Sequence, residues 1–212
     1  MATLYYYPSN ASMAPHMVLE EIGMPYERRL VDRETNAHKD PAYLRLNPNG
    51  VIPTYVEGDL VLFEAAAICL HLADRHPAAG LAPEVGTAER AQFYKWLIHL
   101  TNTVQAELLF YFYPERLTDN AASAAEVKAH VEARVGEMFD RIEAALAADG
   151  PYLLGARFSA ADLYLLMLAR WTRGMANPAR HRLATRRLLD RLIERPAVRR
   201  VFATEAIGSP LF

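Results

Sequence analysis

Cysteine is nearly absent from this sequence: Cys69 is the only one in 212 residues. An internal disulfide is excluded, and so is a zinc site built on several thiolates; no Cys/His cluster with metal-ligand spacing stands elsewhere. A lone thiol suits a reducing cytoplasm, the location expected here. Charge of one sign is lacking too. The formal net charge is -2, from 23 Lys and Arg against 25 Asp and Glu, with the two signs interspersed. No basic field for gripping nucleic acid phosphates results. Apolar residues never run for the roughly 20 positions a membrane span needs. The opening MATLYYYPSN has no basic segment, apolar run or small-residue cleavage site, so no secretory signal is expected. What remains is a chain with length for one or two domains, each able to bury a core.

The first part of the chain mixes strand and helix signals. Residues 3–7 are β-rich and end at Pro8; Ser9, Asn10 and Ser12 then supply turn and cap chemistry. From Met13 the apolar positions Met13, Met17, Val18 and Ile22 recur at helical spacing, and Gly23 and Pro25 stop the helix. Residues 26–31 alternate as a second strand. Residues 54–56 and 60–62 flank Glu57-Gly58-Asp59, a hairpin signal, and a helix follows over 65–75. Beyond Pro83 strand signals vanish, and helical patterns take over at 87–117 and 123–147. The connector His76-Pro77-Ala78-Ala79-Gly80-Leu81-Ala82-Pro83 has the stiffness of an interdomain linker. The expected division is a first domain over residues 1–78 and a helical domain over residues 86–212. Within the latter, Phe158-Ser159-Ala160-Ala161-Asp162 marks a helix start over 160–171, with Ser159 as N-cap and Asp162 three residues on.

Three separated pieces carry the chemistry. The loop Pro8-Ser9-Asn10-Ala11-Ser12 runs into a helix whose first turn exposes unpaired N–H groups and partial positive charge, a setting that favours an anion such as a thiolate. Asn47-Pro48-Asn49-Gly50-Val51-Ile52-Pro53 is a turn entering the hairpin. With a cis Ile52-Pro53 bond, the Ile52 backbone is left open to pair with an extended peptide as an added strand. In Leu62-Phe63-Glu64-Ala65-Ala66-Ala67-Ile68, Glu64 opens a helix and is placed to accept a hydrogen bond from a ligand ammonium. Each piece also has a plain reading: Ser12 as a cap, Pro53 as a stiffened turn, Glu64 as a solvated acid.

Taken in order, Tyr5-Tyr6-Tyr7-Pro8, Ala14-Pro15-His16, the 47–53 segment, Phe63-Glu64-Ala65-Ala66-Ala67-Ile68 and Phe158-Ser159-Ala160-Ala161-Asp162 resemble the cytosolic glutathione transferase family over essentially the whole chain. The resemblance implies an α/β thioredoxin-like N-terminal domain, with a mixed four-stranded sheet, and an all-α C-terminal bundle. It also implies a cis-proline at Pro53, a homodimer, and glutathione as co-substrate with no metal or other cofactor. By the same likeness the Ile52 backbone beside Pro53 takes the cysteinyl part of glutathione, while Glu64 and the Ala65 N–H take its γ-glutamyl end. Lys39, with His38, is the candidate for its glycine carboxylate, against the plainer reading of a solvated pair.

The opening is most similar to the bacterial beta class, whose members commonly carry cysteine where this chain has Ala11. A mixed disulfide with glutathione through that loop is therefore not expected, and Cys69 reads as a core residue. The task left is to lower the pKa of the glutathione thiol, about 8.5 when free. Ser12 leads as hydrogen-bond donor to the sulfur, Asn10 and Tyr6 follow, and backbone N–H groups are the remaining alternative. Ala65 stands where the family usually has serine or threonine, which removes one side-chain contact. The helical domain's first helix is implied to face the sulfur, so Asn102, Gln105 and Leu109 are the candidates for the second-substrate wall. The expected function is a glutathione transferase that turns the thiolate on a small hydrophobic electrophile. The alternative is a non-catalytic glutathione- or ligand-binding, chaperone-like relative; a glutathione-dependent peroxidase or thiol exchanger is disfavoured by Ala11.

Overall fold

Alternation in the opening residues produces a strand: β1 (Ala2–Tyr6) buries Ala2 and Leu4 on one face. The computed structural model describes residues 1–212. After β1 come α1 (Met13–Ile22), β2 (Tyr26–Leu30), α2 (Pro41–Leu44), β3 (Thr54–Glu57), β4 (Leu60–Phe63) and α3 (Ala65–Arg75). The four strands form one sheet in the order β2-β1-β3-β4. β1 pairs with β2 in parallel and with β3 antiparallel, and β3 pairs with β4 antiparallel. A parallel pair needs a crossover, which α1 supplies. α1 ends where Gly23 turns left-handed, φ 74°, and donates its N–H to Leu19 O at 3.0 Å. α1 packs on α3, with Met17, Val18, Ile68 and Leu72 fully buried. Cys69 lies in the same core, and burial pushes its thiol well above the ordinary thiol range. This is the mixed four-stranded, thioredoxin-like arrangement expected.

The later residues form α4 (Ala88–His99), a π-helical stretch (Leu100–Gln105), α5 (Ala106–Phe112), α6 (Ala121–Asp149), α7 (Ala160–Trp171), α8 (Leu183–Ile193) and α9 (Pro196–Thr204). Where the periodicity predicts one helix over 87–117, the structure widens the helix to π geometry and ends it at Phe112. Pro114 accounts for the end, because the residue before a proline is driven out of the helical region; Tyr113 sits at φ -132°, ψ 58°. Thr87 caps α4 by accepting the Arg90 N–H, and Asn120 caps α6 by accepting the N–H groups of Ala122 and Ser123. α7 is buried on every side, as the central helix of its unit must be. No helix is long and apolar enough to cross a membrane.

By their contacts the residues form two units, Met1–Ala82 with Ile193–Ser209, and Pro83–Leu192 with Pro210–Phe212. α9 thus belongs with the sheet, although the sequence places residues 86–212 in one helical domain. Its burial pattern explains this. Ala197, Val198, Val201 and Phe202 form one apolar face that packs on α1. Flanking cations secure the contact: Arg195 grips Glu21 through Nε–Oε1 at 2.5 Å and Nη2–Oε2 at 2.8 Å, and Arg200 Nε meets Glu20 Oε2 at 2.6 Å.

Candidate functional site

The sheet register assembles the site. Tyr5 lies opposite Thr54, and Thr54 lies opposite Phe63; on the other side of β1, Tyr6 lies beside Leu30. The loop after β1, the Ile52-Pro53 approach to β3, the Glu64-Ala65 start of α3 and the segment after β2 carrying His38 and Lys39 therefore all leave one end of the sheet. Three of these stand out in sequence as separate pieces; strand pairing makes them neighbours.

In the β1–α1 loop, Ser12 is fully buried. Its hydroxyl accepts the Tyr7 N–H at 3.2 Å and donates to the Tyr7 C=O at 3.0 Å. It makes no side-chain cap to α1, so it latches the end of β1 to the helix start, and its proton is occupied. Asn10 uses Oδ1 to accept the Ala11 N–H at 2.7 Å, and its Nδ2 makes no hydrogen bond within the chain. Tyr6 belongs to the other face of the strand. Its ring lies 6.1 Å from the His16 ring, on the α1 side, with the Arg28 guanidinium 5.5 Å from its centroid. Tyr5 and Tyr7 instead pack with Val31, Tyr43 and Ile52, as alternation along a strand requires.

The Ile52-Pro53 peptide is cis. Ile52 is buried in that cluster, and its backbone N–H and C=O form no hydrogen bond within the chain. The turn before it is held from two sides. Asn47, fully buried, donates Nδ2 to Val51 O at 2.8 Å and accepts the Asn49 N–H at 3.1 Å; the Tyr43 hydroxyl donates to Val51 O at 2.6 Å. Gly50 is obligatory at φ 58°, because a Cβ there would sit 2.9 Å from His38 O. Lys39 Nζ donates to Gly50 O at 3.2 Å, tying the cation to this turn. His38 Nδ1 is buried without a partner; burial, then the charges of Lys39 and Arg33, hold its imidazole below the usual histidine range.

Glu64 stands at φ 71°, ψ 110°, a strained conformation for a residue with a side chain. It is exposed, while Ala65 behind it is buried at the first position of α3. Some contributors carry little signal in sequence. Asn47 reads there only as part of a turn and Tyr43 not at all, yet both shape the Ile52 segment. The larger omission is Glu205: its Oε1 lies 2.7 Å from His16 Nδ1, and its Oε2 accepts the Ser9 N–H at 2.9 Å. Nothing local in sequence links positions 196 residues apart.

In the helical unit, Gln105 ends the π stretch, and its Oε1 accepts from the Tyr164 hydroxyl and, at 3.3 Å, from Thr101 Oγ1. Thr101 and Tyr164 hydroxyls are themselves 3.0 Å apart. Asn102 is exposed and Leu109 half-buried on the same run. π geometry is rare and recurs at functional sites, which sets this stretch apart from α4 and α5 on either side. No group of three or more His, Cys, Asp or Glu is arranged to hold a metal ion.

Comparison with known proteins converges on one family. The N-terminal domain of glutathione S-transferases matches residues 1–74, and their C-terminal domain matches residues 124–204. Glutathione S-transferase 3 of Zea mays is 38% identical over 68% of this chain and 66% of its own length. Glutathione S-transferase GST-4.5 of Xanthomonas campestris pv. campestris is 33% identical over 79% of this chain and 81% of its own. A crystal structure of a glutathione transferase homolog from Sulfitobacter with bound glutathione has a TM-score of 0.89 at 28% identity, covering 96% of this chain and 98% of that one. With sheet, helices and both domain signatures in agreement, the chain belongs to the glutathione S-transferase family.

Proposed function

We propose that this glutathione transferase holds glutathione as an added strand along Ile52 and turns its thiolate on a small hydrophobic electrophile. The observation that carries the reading is the sheet register, which brings the uncommitted Ile52 backbone, Glu64, Lys39 and the loop before α1 to one end of the sheet. In this reading the Ile52 N–H and C=O, next to Pro53, pair with the cysteinyl residue. The Glu64 carboxylate accepts from the γ-glutamyl ammonium, the Ala65 N–H donates to its carboxylate, and Lys39 meets the glycine carboxylate.

The sulfur then lies at the loop ahead of α1. A free thiol has a pKa of about 8.5, so only a few per cent is thiolate at neutral pH. Donors aimed at the sulfur and the positive end of the helix favour the anion, and each tenfold gain in the ratio of thiolate to thiol corresponds to about 1.4 kcal/mol. Ser12, first on sequence grounds, has its proton on the Tyr7 carbonyl, and Tyr6 stands on the α1 face. Asn10 Nδ2 therefore moves to first place as thiolate donor, with the Ser12 N–H, the one loop amide that makes no hydrogen bond within the chain, beside it. In a substitution the sulfur forms a bond to carbon as the leaving group departs with its electron pair; in an addition the adduct takes up a proton. Asn102, Gln105 and Leu109 are the helical unit's proposed contacts for the electrophile.

Calorimetry with glutathione and turnover of an aryl halide test the reading. Binding and turnover are expected, with Asn10→Ala lowering kcat at neutral pH by about tenfold as one hydrogen bond to the thiolate is lost. No heat of binding rejects the assignment. Binding without turnover selects the second reading, a non-catalytic glutathione binder, which Ala11 and the occupied Ser12 hydroxyl favour. The reading includes a homodimer, which sedimentation checks.

A further inference from the structure

Outside the proposed ligand contacts, one histidine–carboxylate pair is buried on both sides. His16 and Glu205 are 1% and 3% exposed, and they meet at 2.7 Å between Nδ1 and Oε1. Buried ionisable groups are costly unless fully partnered, and removing one partner strands the other. Here the second carboxylate oxygen is also engaged: Oε2 accepts the Ser9 N–H at 2.9 Å. Ser9 sits at φ 59°, a left-handed conformation that a serine keeps only where its surroundings hold it. One carboxylate thus joins the strained residue of the β1–α1 loop to the first half of α1.

We infer that Glu205 is a positioning residue for catalysis: by holding Ser9 and His16 together it sets where Asn10 and Ala11 stand at the helix start, and with them the donors that stabilise the thiolate. The observations fit one mechanism. Asn10 immediately follows the anchored Ser9, and its own N–H is held by Tyr7 O at 3.2 Å, so the loop is tied at the strand by Tyr7 and at Ser9 by Glu205. Glu205 in turn is placed by α9, its N–H bonded to Val201 O at 2.8 Å, and α9 is clamped to α1 by Arg195–Glu21 and Arg200–Glu20. A segment distant in sequence therefore controls the geometry of a loop at the beginning of the chain. Glu205 touches neither glutathione nor electrophile in this scheme. The residues proposed to grip glutathione, Ile52, Glu64 and Lys39, are on other segments.

The inference rests on the glutathione reading, and the test separates the two. Wild type, Glu205→Ala and Glu205→Gln are compared for glutathione affinity by calorimetry, for kcat with an aryl halide, and for the pH at which bound glutathione ionises, followed by ultraviolet absorbance of the thiolate. Glu205→Ala, folded by circular dichroism, is expected to bind glutathione within about threefold of wild type, to lose kcat by about 10-fold to 100-fold through misplacement of the loop, and to ionise the thiol at higher pH. Glu205→Gln keeps an acceptor for Ser9 and is expected to recover most of both. A folded Glu205→Ala with wild-type kcat and an unchanged ionisation curve overturns the inference and leaves the glutathione reading standing. Loss of thermal stability with unchanged kcat per folded molecule also overturns it, since that is a structural role alone. Should Glu205→Ala not fold, Glu205→Asp carries the same test, because its shorter stem keeps the charge while drawing it from Ser9. Absence of glutathione binding by wild type overturns both.

Discussion

Two helices of this protein begin at a fully buried serine, and they use it in opposite ways. At α7, Ser159 and Asp162 close on each other: the Ser159 N–H and hydroxyl both donate to Asp162 Oδ2, at 2.8 and 3.1 Å, and Oδ1 takes the Leu153 N–H at 2.9 Å. At α1, Ser12 turns away from its helix to bond Tyr7 twice, and no side chain caps the first turn. A closed start commits its polar groups to stability; an open start leaves amides and a positive helix end for an anion. The contrast explains why Ser159 reads as architecture while the segment around Ser12 reads as a site, although both are serines before apolar helices.

The comparison is broken most severely at the closed start. Asp162→Ala strands the Leu153 and Ser159 amides in the interior and is expected to cost about 3 kcal/mol, read as a lower denaturant midpoint, with glutathione affinity per folded molecule unchanged. A pH series sharpens this. Burial pushes the Asp162 carboxyl up to about 6 from 3.8, against the pull of the Leu153 and Ser159 hydrogen bonds. The folded protein then holds that proton more tightly than the unfolded chain. The contribution is full below about pH 4 and is lost as pH rises through about 6. Stability of wild type relative to Asp162→Asn should therefore fall between about pH 4 and 6 and level off above; a flat difference refutes it.

Smaller effects are expected at the open end of the sheet. Glu64→Ala should weaken glutathione binding by about 10-fold to 100-fold, the range for a hydrogen bond to a charged group. Glu64→Gly should bind equally poorly yet melt higher, because glycine relieves a left-handed residue worth about 1 kcal/mol or more of strain. Ser12→Ala should cost about 1 kcal/mol of stability for the lost Tyr7 bonds while keeping kcat within about threefold of wild type. A large kcat loss in a folded Ser12→Ala restores Ser12 as thiolate donor.

Much of this was legible in the residues. Helices over 65–75 and 160–171 agree with α3 and α7 residue for residue, because His76-Pro77 closes the first and Ser159 with Asp162 opens the second. Strand boundaries shift by one residue at β1, β2, β3 and β4, as ladder ends depend on partners rather than on local propensity. Two features were not legible. The periodicity of Leu100 and Val104 is compatible with α geometry, and only packing decides that the turn there widens to π. Residues 193–209 look like more helix in a helical domain; nothing near Glu205 announces that it will meet Ser9 and His16.

Local chemistry alone was enough to place β1 to β4, α1, α3 and α7 to within a residue, to show that the chain mixes a sheet with a helical part, and to mark segments with unusual turn residues such as Gly50 and Pro53. Those outcomes depend on interactions within a few residues, where propensity, capping and alternation act. Tertiary structure decided the rest: that four separated segments leave one end of the sheet, that Ser12 gives its proton to Tyr7, and that Glu205 secures Ser9. Such contacts span up to 196 residues, and their formation depends on strand register and helix docking, which no single stretch of sequence encodes.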